Sequence, residues 1–268
     1  MTGTQSSNQT LSACKVLLTR PATQQQSLQK LIEEAGGSVI SLPLIAIQAL
    51  LDEEHLQKVR RSIQNLDQYS SIIFVSTNAA GYGAELINDY WPQFPVGISV
   101  LAIGNTTARA VTSLLDCSVI RPADGSDSEA LLQLPELENV KDKKIAIIRG
   151  QGGRELLAET LLERGAEVHY IEVYRREFID YNPEQLTAAV VDSGCTAITV
   201  HSGESLKQLL VLSGHNIAAT TGLPLVVPSA RIRDQAQEAG FSQIEVSQGA
   251  TDSAMLDALQ KLVASADI

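Results

Sequence analysis

Six hydroxyl side chains lie where a predicted strand ends and a predicted helix begins. They are Ser76, Thr77, Thr106, Thr107, Ser202 and Ser229. Hydroxyls at such positions, together with the unpaired amides and partial positive charge of a helix N-terminus, can bind the oxygen atoms of an anionic ligand. Serine and threonine are also ordinary helix N-caps, each worth roughly 1 kcal/mol, so a structural role is the alternative at every one of these positions.

Arginines are placed in a similar way, at strand ends or in connecting segments. They are Arg20, Arg149, Arg154, Arg175 and Arg231. The planar guanidinium matches a carboxylate through two parallel hydrogen bonds, which favours a ligand that carries carboxylates. For any single arginine, the alternative is a surface ion pair with one of the 31 acidic residues of the chain.

Tyr174 is the residue best suited to general acid catalysis. It lies in a predicted connecting segment, and its counterpart in the other half of the chain is Ile45, which offers only hydrocarbon. A phenol is neutral at pH 7 and can donate a proton to a leaving group. The alternative is a tyrosine whose ring packs on the edge of a domain.

Nucleotide and metal chemistry find little support in the sequence. The glycine-rich segment 150–153 has Glu155 where a dinucleotide fingerprint needs its third glycine, and it lacks the Walker lysine. The four histidines show no ligand spacing, and three widely separated cysteines form no CxxC pair. The sequence therefore predicts a protein without a cofactor and without a metal site.

The elements that would position these residues are short apolar segments, rich in β-branched side chains, that alternate with segments of helical periodicity. The segments are nearly all apolar, as strands covered on both faces require. The predicted strands are 15–19, 38–42, 71–75, 98–103, 117–120, 144–148, 166–172, 195–200, 223–227 and 243–246. Five strands in each half match a flavodoxin-like, doubly wound parallel sheet.

The second half of the chain repeats the pattern of the first. Residues 15–20 return as 144–149, and residues 72–77 return as 197–202. Each copy is the size of a domain, so the sequence predicts an α/β protein of two similar domains. Clefts between domains are favoured ligand sites, which points to a small molecule held between the halves.

Composition limits the partners of the chain. A net charge of −11 argues against nucleic acid, because a phosphate backbone needs a basic face. No apolar segment approaches the ~20 residues of a transmembrane helix, and the polar start of the chain lacks the apolar centre of a signal peptide. The unpaired cysteines suit a reducing compartment, so we expect a cytoplasmic protein.

Five short motifs stand out along the sequence. They are Thr19-Arg20-Pro21, Val75-Ser76-Thr77-Asn78, Ala102-Ile103-Gly104-Asn105-Thr106-Thr107-Ala108, Arg149-Gly150-Gln151-Gly152-Gly153-Arg154 and Val173-Tyr174-Arg175. In these motifs the sequence resembles the uroporphyrinogen-III synthase family. They occur in the family's order over residues 14–262. One element departs from the pattern: the second half should repeat Gly-x-x-Thr-Ala, but residues 227–231 are Val-Pro-Ser-Ala-Arg. Ser229 or Arg231 would then take the place of the family's threonine.

The resemblance implies two flavodoxin-like domains joined by a two-stranded connector. The implied boundaries are a disordered tail (1–13), a discontinuous first domain (14–42 with 179–268), a second domain (51–169) and connectors at 43–50 and 170–178. The implied reaction is the loss of water from the linear tetrapyrrole hydroxymethylbilane, with inversion of its last pyrrole ring and closure of the macrocycle.

The resemblance also assigns roles to the candidate residues. Tyr174 becomes the candidate proton donor, and the proposed substrate contacts are Arg20, Ser76, Thr77, Thr106, Thr107, Arg149, Gly150, Ser202, Ser229 and Arg231. The expected protein is a monomer that takes hydroxymethylbilane, with room for a hand-over from hydroxymethylbilane synthase. A non-catalytic binding or sensory module for an anionic small molecule is the alternative, since a fold does not fix a function. A nucleotide-dependent enzyme is a further alternative, which the failed glycine fingerprint disfavours.

Overall fold

The computed structural model describes residues 10–50, 52–125, 127–153 and 155–266 of the chain. These residues divide into two compact units. Unit 1 contains the described residues up to Ala46 and the chain from Glu177 onward, whereas unit 2 is Ile47–Arg176. The chain therefore leaves unit 1 after its first strand-helix-strand segment and returns to it for the last third of its length.

The strands of unit 1 are β1 (Lys15–Leu18), β2 (Ser38–Ser41), β8 (Ala197–Thr199), β9 (Leu225–Val227) and β10 (Ile244–Val246). Its α-helices are α1 (Gln26–Glu34), α7 (Pro183–Thr187), α8 (Gly203–Ser213), α9 (Ile217–Thr221), α10 (Ala230–Glu238) and α11 (Asp252–Ala266), and a π-helical turn follows α7 at Ala188–Asp192. The sheet order is β2-β1-β8-β9-β10, and all four neighbouring pairs are parallel.

The strands of unit 2 are β3 (Ile45–Ala49), β4 (Ser71–Phe74), β5 (Ser99–Ala102), β6 (Lys144–Gly150) and β7 (Glu167–Phe178). Its α-helices are α2 (Glu53–Gln64), α3 (Thr77–Tyr90), α4 (Asn105–Leu115), α5 (Ser128–Leu131) and α6 (Leu156–Glu163). The sheet order is β3-β7-β6-β4-β5, with parallel pairing from β7 to β5. A single parallel bridge between Ile120 and Leu101 continues the sheet beyond β5.

Both sheets have the neighbour order of a flavodoxin-like fold, and each obtains it by combining the two halves of the chain. In unit 1, β2-β1 come from the first repeat and β8-β9-β10 from the second, which gives the order 2-1-3-4-5. In unit 2, β7-β6 come from the second repeat, and β4, β5 and Ile120 come from the first. The predicted fold class is thus confirmed, with the first strand-helix-strand segments exchanged between the repeats.

Alternate residues of the central strands supply the core on each face of a sheet. In unit 2, Ile72 and Ile148 pack with α2–α4, whereas Ile73 and Ile147 pack with α5 and α6. All four side chains are at most 1% exposed. Successive side chains of a strand point to opposite faces, so a strand covered on both faces must be apolar at nearly every position.

Two strand predictions need correction. Residues 117–120 were expected to form a strand, but the structure gives only the bridge at Ile120. The predicted strand 166–172 continues to Phe178, and the segment 45–49 forms β3, so the connectors 43–50 and 170–178 both contain strand, as the family resemblance implied. The apolar pattern alone did not identify these two segments, because most of their residues are exposed or half-buried.

The segment predicted as a tail, 1–13, is partly structured. Leu11 is fully buried in the core beside α11, and its amide donates a hydrogen bond of 3.0 Å to the carbonyl of Ala35. Residues 1–9 lie outside the described residues. Among the helices that the structure describes, none is long and apolar enough to cross a bilayer.

Candidate functional site

The best-formed site lies in unit 2, at the carboxyl ends of β6 and β4. In the sheet order, β6 and β4 correspond to the first and third strands of a flavodoxin-like sheet. The connecting helices cover one face of the sheet on one side of this strand pair and the opposite face on the other side. Ligands of doubly wound sheets bind at such switch points, outside the carboxyl ends of the strands. A cavity of about 350 Å³ is found there, and its lining includes Ser76, Ile103, Arg149, Gly150, Tyr174 and Arg176.

Tyr174 is held inside this cavity by polar and aromatic contacts. Its hydroxyl lies 3.2 Å from Oγ of Ser76, and its side chain is buried, with 6% of the residue exposed. The ring of Tyr82 stacks on it, with 5.8 Å between ring centroids and 25° between planes. A buried phenol with a single hydroxyl neighbour is fixed in direction, which is what a proton donor needs.

Ser76 reaches this position because it caps α3. Its Oγ accepts a hydrogen bond of 3.0 Å from the amide of Ala79, the third residue of the helix. The same oxygen then meets the Tyr174 hydroxyl, so the capping role and the site role are performed by one atom. Ligand binding and helix capping, the two roles considered from the sequence, are therefore compatible at Ser76.

Arg149 supplies a buried positive charge to the cavity, with 5% of the residue exposed. Its guanidinium donates to the carbonyls of Gly150 and Gly152 and lies 3.5 Å from the carboxylate of Glu155. It also lies over the ring of Tyr170, 4.5 Å from the ring centroid. Glu155 is half exposed, so Arg149 has one carboxylate partner that a ligand could replace.

Tyr170 joins the same cluster through its hydroxyl, which donates to Glu155. Burial, together with the hydrogen bond to the Glu155 carboxylate and its negative charge, raises the pKa of Tyr170 to about 12, against the nearby positive charge of Arg149. The Tyr170 phenol therefore stays protonated at neutral pH and keeps Glu155 oriented toward Arg149.

The equivalent switch point of unit 1 lies between β1 and β8. Arg20 follows β1 and forms an ion pair with Asp252, the first residue of α11. Ser202 caps α8 by accepting a hydrogen bond of 3.1 Å from the amide of Ser205. Arg20 and Arg149 are repeat counterparts, and each has one acidic partner in its own unit.

His201 is a residue whose situation the sequence did not reveal. Both of its ring nitrogens are buried and make no hydrogen bond within the described residues. Burial, together with the positive charge of Arg20, lowers the pKa of His201 to about 3. In unit 2 only Val75 separates β4 from the capping Ser76, whereas Val200 and His201 separate β8 from Ser202. The turn after β8 is thus one residue longer than the turn after β4, and His201 is the extra residue. The difference becomes visible when Ser202 and Ser76 are aligned as helix N-cap residues.

The other candidates are more dispersed. Thr77 and Thr106 are exposed in the first turns of α3 and α4, and Thr107 is buried in the latter. Ser229 is the N-cap residue of α10 without a side-chain bond to the described amides of that helix, and Arg231 is exposed in its first turn. Arg154 lies outside the described residues. The structure thus gathers Ser76, Arg149, Gly150 and Tyr174 in one cavity. Arg20 follows β1, and His201 and Ser202 follow its neighbour β8.

Among the residues that the structure describes, no group of three or more histidine, cysteine or acidic side chains could hold a metal ion. What the cavity offers is a neutral phenol, a hydroxyl and a buried guanidinium. This set can bind an anionic group and donate a proton beside it.

The fold and this site define a class: two-unit α/β proteins, formed by exchange between repeats, with polar sites at the switch points. The model of the family described as uroporphyrinogen-III synthase HemD matches residues 26–257, so the chain belongs to that family. It is 34% identical to the uroporphyrinogen-III synthase of Salmonella typhimurium over 91% of this chain and 99% of that protein. The corresponding protein of Escherichia coli is 32% identical, with the same coverage.

Solved structures with a similar fold carry the same family name. A mutant uroporphyrinogen III synthase from Thermus thermophilus aligns with a TM-score of 0.60 at 17% identity, covering 94% of this chain and 100% of that one. The uroporphyrinogen-III synthetase of Helicobacter pylori aligns with a TM-score of 0.59 at 14% identity, covering 93% and 99%. At such identities the comparison bears on the fold alone.

Proposed function

We propose that this chain converts hydroxymethylbilane to uroporphyrinogen III. The hydroxymethyl C–O bond of the substrate breaks and water leaves. The C–C bond that joins the last pyrrole ring to its neighbouring bridge carbon also breaks, the ring is inverted, and two new C–C bonds attach its α-carbons to both bridge carbons and close the macrocycle. Membership of the uroporphyrinogen-III synthase family supports the reaction. The observation that carries the mechanism is the cavity of unit 2, which places the Tyr174 hydroxyl beside Ser76.

In this mechanism Tyr174 is the general acid. Its O–H donates a proton to the departing hydroxide, so that water is the leaving group and a protonated azafulvene remains. Transfer of the pyrrole N–H proton to the Tyr174 phenolate then gives the neutral azafulvene and restores the acid. Ser76 fixes the direction of the phenol through the 3.2 Å contact. General acid help of this kind contributes roughly 100- to 10,000-fold to a rate.

The substrate is held by its carboxylates. Its eight carboxylates suit the neutral donors and arginines proposed as contacts, which are Arg20, Ser76, Thr77, Thr106, Thr107, Arg149, Gly150, Ser202, Ser229 and Arg231. Hydroxymethylbilane also closes spontaneously without ring inversion, so the enzyme must hold its ends in the productive geometry first. Correct placement of reacting groups is worth several kcal/mol, and exclusion of water protects the azafulvene.

Supplied with hydroxymethylbilane and no metal or nucleotide, the purified chain should form mainly the type III isomer of uroporphyrinogen. The isomers are separated chromatographically after oxidation, with an enzyme-free sample as the control for spontaneous closure to type I. Only type I product at stoichiometric enzyme would refute the proposal. Saturable binding of the tetrapyrrole without turnover would instead favour the non-catalytic binding module.

Arg20 provides a second test, because its proposed carboxylate ligand must compete with Asp252. Exchange of Asp252 for asparagine removes the competing charge. The pair is partly buried, with 20% and 24% of the two side chains exposed, so its attraction is at least the ~1 kcal/mol of an exposed ion pair. We therefore expect Asp252→Asn to lower KM by about five-fold or more. Asp234→Asn, which removes the exposed partner of Arg233, is the matched control and should leave KM unchanged. An unchanged KM in Asp252→Asn would remove Arg20 from the substrate contacts.

We further propose that the protein acts in a reducing, cytoplasmic compartment as a monomer and receives its substrate from hydroxymethylbilane synthase. All three cysteines are free thiols, and two of them, Cys14 and Cys195, are buried. Thiols of this kind persist in a reducing compartment. We also retain the segments 43–50 and 170–178 as the proposed connectors, since the chain passes between the units at Ala46 and Arg176.

A further inference from the structure

We propose that Gly150 is a positioning residue for this reaction: the absence of a side chain at this position allows the Tyr174 ring to lie against the end of β6, with its hydroxyl at Ser76. The inference rests on the proposed function, in which Tyr174 donates the proton. It adds a structural cause for the orientation of that group.

The first observation is a break in the pairing of β6 with β7. The register is regular from Lys144 opposite Glu167 to Arg149 opposite Glu172, but Gly150 then lies opposite Tyr174. One residue of β7, Val173, is therefore left over. An extra residue of this kind is a β-bulge, which redirects the side chains that follow it.

The effect of the bulge on Tyr174 is visible in the core. In a regular strand, consecutive side chains point to opposite faces of the sheet. Val173 and Tyr174 are consecutive, yet both are buried in the same cluster beside α3, with 4% and 6% of each residue exposed. The bulge has thus turned Tyr174 onto the face where Ser76 caps that helix.

The second observation is the space at Gly150. A Cβ atom on Gly150 would lie 2.5 Å from both Cε2 and Cζ of Tyr174, and 3.0 Å from Cδ2. Carbon atoms do not approach one another so closely, because their optimal separation is about 3.5–4.0 Å. Gly150 does not have a positive φ angle, so the need for glycine here is steric and comes from the tyrosine ring.

The Tyr174 ring has little freedom to move away from an added methyl group. The amide of Gln151 donates a hydrogen bond of 2.7 Å to the carbonyl of Tyr174, which fixes the backbone at the bulge. Tyr82 stacks on the ring and is itself held by a 3.2 Å hydrogen bond from its hydroxyl to the carbonyl of Ile47. A methyl group at position 150 must therefore displace the phenol hydroxyl from Ser76.

The test is the Gly150→Ala variant, alone and combined with Tyr174→Phe. A displacement of about 1 Å can cost about 100-fold in rate, so we expect kcat to fall on that order while KM stays within a few-fold. In the Tyr174→Phe background the same substitution should cause no further loss. Gly81→Ala is the matched control, because a Cβ there meets nothing within 4 Å, and it should retain wild-type kcat. An equal loss in both backgrounds would overturn the proposal.

A spectroscopic measurement separates this proposal from the catalytic role of Tyr174. The chain has six tyrosines, so labelling with 3-fluorotyrosine gives a small set of ¹⁹F resonances. The Tyr174 signal is the one that Tyr174→Phe lacks, and it should shift in Gly150→Ala but not in Gly81→Ala. An unshifted signal would overturn the positioning role. A shifted signal, in a protein whose Tyr174→Phe variant turns over normally, would support the positioning and refute only the role as acid.

A second pair of variants covers the case in which Gly150→Ala fails to fold. If the added methyl group meets only the Tyr174 ring, removal of that ring should restore the fold. Gly150→Ala/Tyr174→Ala is then expected to unfold at the same denaturant concentration as Tyr174→Ala. A lower midpoint for the double variant would contradict the assigned contact.

Discussion

Replacement of Tyr174 by phenylalanine is expected to lower kcat by about 100-fold and to leave the fold intact. The substitution removes the hydroxyl that would protonate the departing hydroxide, whereas the ring keeps its stacking on Tyr82 and its place against Gly150. General acid help spans roughly 100- to 10,000-fold, and water or a substrate carboxyl can replace part of it, which places the expected loss at the lower end.

Steady-state formation of the type III isomer measures this effect, with circular dichroism as the check on folding. Tyr90→Phe is the matched control, because Tyr90 lies at the end of α3 and is 38% exposed. It should show wild-type turnover. Ser76→Ala should lower kcat by a smaller factor, since it leaves the phenol in place. Wild-type turnover by a folded Tyr174→Phe variant would exclude Tyr174 from the chemical step.

Acidification is expected to destabilise the protein through His201. In the folded state burial holds the pKa of His201 at about 3, whereas in the unfolded chain it returns to about 6.5. The unfolded state therefore binds a proton between these two values and the folded state does not. Above pH 6.5 both states carry a neutral imidazole and His201 has no effect. As the pH falls below 6.5, the free energy of unfolding decreases by up to about 1.4 kcal/mol per pH unit.

Denaturant unfolding at pH 7 and pH 4.5 tests this expectation. The wild-type chain should lose about 2–3 kcal/mol more than His201→Asn between the two pH values, because asparagine does not titrate. If His201→Asn showed the same acid sensitivity as the wild-type protein, the ring of His201 would have to be accessible to water in the folded state.

Much of the fold could be predicted because its central strands are apolar on both faces. Residues 71–75 and 144–148 carry this signal, and the repeat that relates 15–20 to 144–149 doubles it. β3 and the second half of β7 were expected only from the family resemblance, as the two-stranded connector, because residues such as Arg176 and Glu177 interrupt the apolar pattern of β7. Continuous hydrophobicity identifies strands that lie inside a parallel sheet and overlooks those that alternate.

The candidate site was predictable in its residues more than in its contacts. Ser76, Arg149 and Tyr174 could be selected because the ends of parallel strands meet at one edge of a sheet. The stacking of Tyr82 and the approach of Gly150 to the Tyr174 ring depend on a bulge, which no pattern of residue types in this segment indicates. The partners of Arg20 and Arg149 depend likewise on side-chain directions, which spacing alone does not determine.

The exchange of segments between the two repeats governs the order in which the chain can fold during synthesis. Residues 10–46 leave the ribosome before unit 2, but β1 pairs with β8, and the Thr19 hydroxyl donates a hydrogen bond to the carbonyl of Thr199, 180 residues further on. Unit 2 is continuous in sequence and can close its sheet as soon as β7 is made. The first strand-helix-strand segment must therefore wait, with its apolar faces exposed, until all of unit 2 and then β8 have been synthesised. Contacts of such long sequence separation slow folding and prolong the exposure of aggregation-prone surface, which makes β1 and β2 the segments most in need of a chaperone.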